Sequence, residues 1–207
     1  MPSLARAERR IAEVIAGSGV PEDPTHSRNT LKWLLRLAPR ADAALRIAAL
    51  GHDIERAVEA RKVRRADFAE YDAFKAAHAR NSAAMLREIL SECGVGDEAL
   101  TREVERLVCA HEVGGDPRSD LLKDADSLSY FEVNLPFYYE RHGWEETRRR
   151  CVWGYRRLSE PARSIAADLA YPSDELKRLI AESLWEAHER EAAPEPSEGD
   201  GLAAADP

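Results

Sequence analysis

The sequence predicts an all-α fold. Apolar residues recur at helical spacing along most of the chain, alternating strand patterns are missing, and no Asn-Gly or Asp-Gly turn joins two strand-like runs. With 207 residues and 23.1 kDa the chain can bury one sizeable core. A composition 44% hydrophobic and 33% charged fits a globular chain and excludes a wholly disordered one.

The first expected helix covers 4–17, where charges interrupt the apolar positions, so the segment reads as an amphipathic helix rather than a secretory signal. Helix 24–38 is predicted to start with Asp23 as N-cap and Pro24 in the first turn. In helix 41–60, Leu45, Ala48 and Ala49 lead onto His52, and Ile47, Leu50, Ile54 and Val58 make the adjoining face apolar. That pattern marks a central helix with His52 and Asp53 inside. A basic loop, RKVRR (61–65), precedes helix 67–92, on which Phe74, His78, Asn81 and Met85 share a face. Gly94 and Gly114 stand at expected helix ends. Between them, helix 97–113 carries the stripe Leu100, Val104, Leu107, Val108 onto His111. Helix 119–135 aligns Leu122, Asp126, Ser129 and Val133, and Pro136 is expected to interrupt it. Helices 144–158, 161–170 and 173–192 follow, the last opened by Ser173. No linker divides this stretch, so one helical domain over 1–191 is expected, followed by a disordered acidic tail over 192–207.

The formal charge of −8 argues against bulk nucleic-acid binding. Six acids and one base lie between Glu189 and the end, so the remainder is nearly balanced and compatible with a small anionic substrate. No apolar run approaches the roughly 20 residues that span a bilayer, so no membrane association is expected. Cys93, Cys109 and Cys151 form no CxxC pair or framework spacing and read as free thiols of a cytoplasmic protein.

Five expected helices aim a histidine or a carboxylate inward: His26, His52 with Asp53, His78, His111 and Asp126. His142 and His188 fall outside the set and read as surface residues. Buried ionisable groups must be paired or hold a metal. Imidazole and carboxylate without thiolate suit Fe, Mn, Co, Ni or Zn, not calcium. Six donors exceed a tetrahedral zinc site. They suit two ions bridged by a shared carboxylate, or one octahedral ion with neighbours of other function.

The stretches THSRNTLKWLL (25–35), IAALGHDIERA (47–57), AHARNSAAMLREIL (77–90), LVCAHEVGGD (107–116) and LLKDADSLSYFEVN (121–134) together resemble the HD-domain superfamily of metal-dependent phosphohydrolases over residues 20–135. The resemblance implies an HD-type helical bundle in which His26, His52, Asp53 and Asp126 bind one divalent transition metal. His78 and His111 would add a second ion bridged by Asp53, or contact phosphate beside a single ion. Asp126 is preferred to Asp124 because its A-D-S-L context matches better and its face is apolar. Asp53 and Asp124 are then the catalytic candidates.

Many members carry Lys or Glu three residues after the paired aspartate. This chain has Arg56, suited to a phosphate oxygen by its fork of donors but not to base catalysis. Glu55 is the nearest carboxyl and is expected to point elsewhere. Asn81 and Glu112 are candidates only by standing next to ligands.

The expected activity is hydrolysis of a nucleotide or other small phosphoester by metal-activated water. The alternatives are di-iron oxygenase chemistry or a non-catalytic metal-binding module, and relatives of this kind are often homodimers. Arg56, Lys123, Tyr130, Arg149 and Trp153 are the candidate substrate contacts, with RKVRR as a lid over the site. Arg149, Trp153 and Arg156 are expected to share one helical face.

Overall fold

The computed structural model describes residues 2–192, and every regular element among them is helical. The expected tail over 192–207 lies, but for its first residue, outside the described residues. The helices are α1 (Pro2–Ala16), α2 (Asp23–Leu37), α3 (Ala43–Gly51), α4 (Tyr71–Glu92), α5 (Glu98–Ala110), α6 (Pro117–Ser129), α7 (Leu135–Arg156), α8 (Glu160–Ala167) and α9 (Asp174–Ala192). They fall into two compact units, Met1–Ser129 and Tyr130–Pro207.

In the first unit α3 is the hub, packing on α1, α2, α5 and α6, while α4 lies against α5 and α2 against α6. The apolar stripes meet in a core of Ile11, Leu34, Ile47, Leu86, Leu90, Leu107, Leu122 and Leu128, all fully buried. Burial of side chains of this size contributes about 1.5–3 kcal/mol each. Local chemistry sets the helix starts. Asp42 Oδ1 accepts from Leu45 N–H at 3.1 Å, and Asp97 Oδ1 accepts from the N–H groups of Ala99 and Leu100 at 3.0 Å.

Of the boundaries that differ from expectation, three shape the site. First, α2 begins at Asp23 itself, and the Asp23 side chain accepts from Ser18 Oγ at 2.6 Å instead of capping the helix. Second, the helix expected over 41–60 stops at Gly51, and a 3₁₀ turn follows at Ile54–Ala57. Consecutive residues on an α-helix point about 100° apart. Ending the helix at Gly51 frees adjacent His52 and Asp53 to face one centre. Third, α5 stops at Ala110, so His111 is its C-cap. The segment 58–70 then crosses to α4 with one short 3₁₀ turn, Arg65–Asp67.

The second unit opens with a π-turn, Tyr130–Asn134, and packs α7 on α9 around Phe131, Leu135 and Leu179. The interruption expected at Pro136 is not there. Pro136 sits in the first turn of α7, where a missing N–H costs no helical bond. The break comes at Gly143, whose φ of 73° only glycine adopts freely. Ser173 Oγ accepts from Leu176 N–H at 3.1 Å, the expected start of α9.

No helix among the described residues is long and apolar enough to cross a membrane. The three cysteines are free, Cys109 exposed and the other two buried.

Candidate metal centre

The six expected ligands come together inside the first unit as two trios. His26 from the first turn of α2, His52 at the end of α3 and Asp126 from α6 form one. Asp53, His78 from α4 and His111 at the end of α5 form the other. Within each trio the ligand atoms lie within 4.8 Å of one another.

In the first trio, Asp126 Oδ1 lies 3.1 Å from His26 Nε2 and 3.2 Å from His52 Nε2, and the two ring nitrogens are 3.3 Å apart. In the second, Asp53 Oδ1 lies 2.9 Å from His78 Nε2 and 3.9 Å from His111 Nε2. The other Asp53 oxygen, Oδ2, stands 3.7 Å from His52 Nε2. One carboxylate therefore faces both trios. The histidines are buried, whereas the Asp53 and Asp126 side chains keep 20% and 19% of their surface, which leaves both carboxylates within reach of solvent.

All four rings are fixed in the same sense. His52 Nδ1–H donates to the Ala49 carbonyl at 3.2 Å, and His111 Nδ1–H to the Val108 carbonyl at 2.6 Å. His78 Nδ1–H donates to Glu55 Oε1 at 2.6 Å. Ser129 Oγ gives its proton to the His26 carbonyl at 3.0 Å, so at 2.9 Å from His26 Nδ1 it accepts. Every Nδ1 proton is thus committed to an acceptor outside the cluster, and every Nε2 turns inward. Outer acceptors of this kind set the tautomer and basicity of metal-binding histidines.

Such a set is electrostatically incomplete without a cation. Burial lowers the His52 pKa, but Asp53 and Asp126 outweigh it and push it up to about 9. Burial opposes protonation of His78 as well, yet the hydrogen bonds to Asp53 and Glu55 raise it to about 10. For Asp53 and Asp126, burial favours the neutral acid, but His52 and the other neighbours hold both well below the usual carboxylate range. His111 is lowered by burial and stays neutral. Four imidazole Nε2 atoms and two carboxylates, without thiolate, fit a divalent transition metal, which would displace the protons that these neighbours favour on His52 and His78.

Glu55 was expected to point elsewhere. It is instead 1% exposed and braces His78, because the chain leaves helical geometry at Asp53 and turns Glu55 toward α4. Gly51, a weak helix former next to the His-Asp pair, was the available signal. Ser129 is a further residue that only the structure singles out, although it shares the apolar stripe of Asp126.

Arg56 bridges Asp53 Oδ2 and Asp23 Oδ1, both at 3.2 Å. Lys123 pairs with Asp120 at 2.9 Å. Asp124 is buried on α6 and belongs to neither trio. Asn81 donates to the Arg61 carbonyl, and Glu112 Oε1 lies 3.8 Å from His111 Nε2. Within RKVRR, Arg61 pairs with Glu88 and Arg64 with Glu59.

The remaining substrate candidates lie in the second unit. Tyr130 carries Arg150 over its ring at 5.5 Å. Arg149, Trp153 and Arg156 stand on α7 at the expected helical spacing, but Arg149 pairs with Glu146, and Arg150 at 4.6 Å and Arg157 at 4.2 Å lie over the Trp153 ring. His188 is exposed, as expected, and stands 3.2 Å from the Tyr155 hydroxyl. His142 is half-buried against Tyr138 rather than on the surface, with ring centroids 4.2 Å apart.

A family model described as "Domain of unknown function (DUF4202)" matches residues 6–180. No curated protein and no solved structure matches the chain.

Proposed function

We propose that this chain, which belongs to the DUF4202 family, is a metal-dependent phosphohydrolase of HD-domain type, acting on a nucleotide or other small phosphoester. One observation carries the proposal: four buried imidazoles, each with its Nδ1 proton committed, present Nε2 toward two carboxylates, and one of these, Asp53, faces both groups of donors. The five sequence stretches that resemble HD-domain enzymes supply these residues in the order of that superfamily. His26, His52 and Asp126 would hold one divalent cation, and His78 and His111 a second, with Asp53 between them.

Bound divalent cations lower the pKa of coordinated water toward neutrality and offset charge on phosphoryl oxygens. The protein's own groups account for the rest. The acceptors behind the four rings keep each imidazole aimed before substrate arrives. Arg56, paired with Asp23 and Asp53, sits beside the second trio, where its guanidinium would contact a phosphate oxygen if Asp53 turned to a cation.

The test is phosphate release from a panel of nucleotides and small phosphoesters, with Mn²⁺, Fe²⁺ or Co²⁺, by the wild type and His52→Ala. Cation-dependent release that disappears in His52→Ala is the expected result. Release by His52→Ala at the wild-type rate, or release coupled to oxygen consumption, overturns the proposal.

A further inference from the structure

Resting on the cation site proposed above, we infer that Glu55 is a positioning residue with two attachments: it orients His78 and pins the segment 58–70 to the site. Glu55 lies in the 3₁₀ turn after the His-Asp pair and is almost completely buried. Its two oxygens serve different partners. Oε1 accepts from His78 Nδ1–H at 2.6 Å, and Oε2 accepts from the backbone N–H of Val63 at 2.6 Å. His78 and Val63 belong to different parts of the chain, and this one side chain joins them.

Little else holds the segment. No residue from 58 to 70 is buried. Its other ties include backbone bonds at its two ends (Val58 N–H to the Glu55 carbonyl, Phe74 N–H to the Glu70 carbonyl), the bond from Asn81 Nδ2 to the Arg61 carbonyl, the surface ion pair of Arg61 with Glu88, Arg65 at the Phe68 carbonyl and over the Tyr71 ring, and the Phe68 and Phe74 rings 6.1 Å apart. Exposed ion pairs contribute little. The part-buried bond from Val63 N–H ties the middle of the segment to a carboxylate that is itself buried. Loosening it leaves 58–70 as a surface strap with few apolar contacts, the condition for local opening.

The two attachments compete in a specific way when the carboxylate becomes an amide. A carboxylate accepts at both oxygens, whereas glutamine accepts at one atom and donates at the other. In Glu55→Gln the carbonyl oxygen can serve either His78 Nδ1–H or Val63 N–H. The NH₂ group then confronts the remaining N–H, donor against donor. With a cation on His78 Nε2, the Nδ1 proton is obligatory, so the carbonyl stays on His78 and the strap loses its anchor.

The strap carries Arg61, Lys62, Arg64 and Arg65, so trypsin reads its opening directly. The experiment uses the full chain with Mn²⁺ as probe and measures two quantities for each protein: Mn²⁺ bound per chain and the rate of tryptic cleavage between 61 and 65. The wild type is expected to cleave slowly. Glu55→Gln is expected to keep its Mn²⁺ while cleavage in the strap rises about tenfold, the effect of losing one part-buried hydrogen bond to a charged acceptor. His78→Ala is expected to do the reverse, losing one Mn²⁺ with strap cleavage unchanged, because Oε2 still holds Val63.

Hydrogen exchange on the unmutated protein supplies a reading that needs no variant to fold: the Val63 amide is expected to exchange more slowly than that of Arg64. Wild-type strap cleavage in Glu55→Gln, or a Val63 amide as fast as Arg64, overturns the inference. A wild type that binds no Mn²⁺ overturns the cation site instead, and the Val63 amide and the cleavage rates still decide the strap.

Discussion

His78 brings its Nε2 to 2.9 Å from Asp53 Oδ1, and the other oxygen of that same aspartate turns toward His52. Asp53, a member of the second trio, thus also reaches within 3.7 Å of His52 in the first, the position the proposed bridging role requires. Substituting Asp53 and Asp126 has unequal consequences. Asp53→Ala is expected to lose both cations, while Asp126→Ala loses one and retains the other on His78 and His111. Metal analysis after equilibration with Mn²⁺ measures the difference. Equal loss from the two variants contradicts the bridging role.

Cation uptake is expected to release protons. Without a cation His52 and His78 titrate at about 9 and about 10, so both carry a proton at neutral pH, and a metal ligand must give it up. Apparent affinity for Mn²⁺ should therefore rise steadily from pH 6 to pH 8. Calorimetry in buffers of different ionisation enthalpy counts the protons released. A pH-independent affinity is inconsistent with these protonation states.

The same shifts give the cation-free protein a distinctive pH dependence. His52 and His78 have folded-state pKa values above the ordinary 6.5, so the stability they contribute is complete below about pH 6.5 and is lost as pH rises through 9 to 10. Asp53 and Asp126 are shifted down, so their contribution is present above the ordinary 3.8 and is lost as pH falls through their lower folded values. In chelator, Tm should fall between pH 7 and pH 10. With saturating Mn²⁺ the decline should disappear, because the cation replaces the protons. Parallel melting curves with and without Mn²⁺ across this range contradict the assignment.

Ser129 is expected to act on the metal through His26. Ser129→Ala removes the acceptor of the His26 Nδ1 proton and leaves the ligand in place. Loss of such an outer partner typically costs about 10–100-fold in metal affinity. Titration with Mn²⁺ should show the weakening in the first trio only, so His111→Ala and Ser129→Ala should affect different ions.

Gly51 ends α3 beside the side chain of Leu86 on α4. A Cβ there would lie 2.4 Å from Leu86 Cδ2, so the fully buried Leu86 side chain would have to shift within the core. Gly51→Ala is expected to destabilise the protein by about 1–3 kcal/mol, the usual range for overpacking. It should also weaken cation binding, since His52 follows directly and His78 stands on α4. Chemical denaturation and Mn²⁺ titration check both effects.

The ligand set was legible in the sequence because a ligand must sit on the face that packs. The apolar stripes of α2, α4 and α6 put His26, His78 and Asp126 on faces that converge, and they separated Asp126, which joins a trio, from Asp124, two residues away and on another face. What periodicity could not supply was the end of a helix. A continuous helix over 41–60 hides the role of Glu55, which depends on the turn after Gly51. Periodicity also could not choose between arginines: 149 and 150 both stand within a turn of Trp153, and Glu146 takes the first of them. Hydrogen-bond partners behind the ligands, such as Ser129 and the carbonyls of Ala49 and Val108, depend on backbone geometry that spacing alone does not encode.

Anomalous diffraction from crystals grown with Mn²⁺ addresses the central claim most directly. Two peaks are expected, one against His26, His52 and Asp126 and one against Asp53, His78 and His111. Crystals with Mn²⁺ in solution but no peak among these six side chains, or a peak held by other residues, would contradict the account.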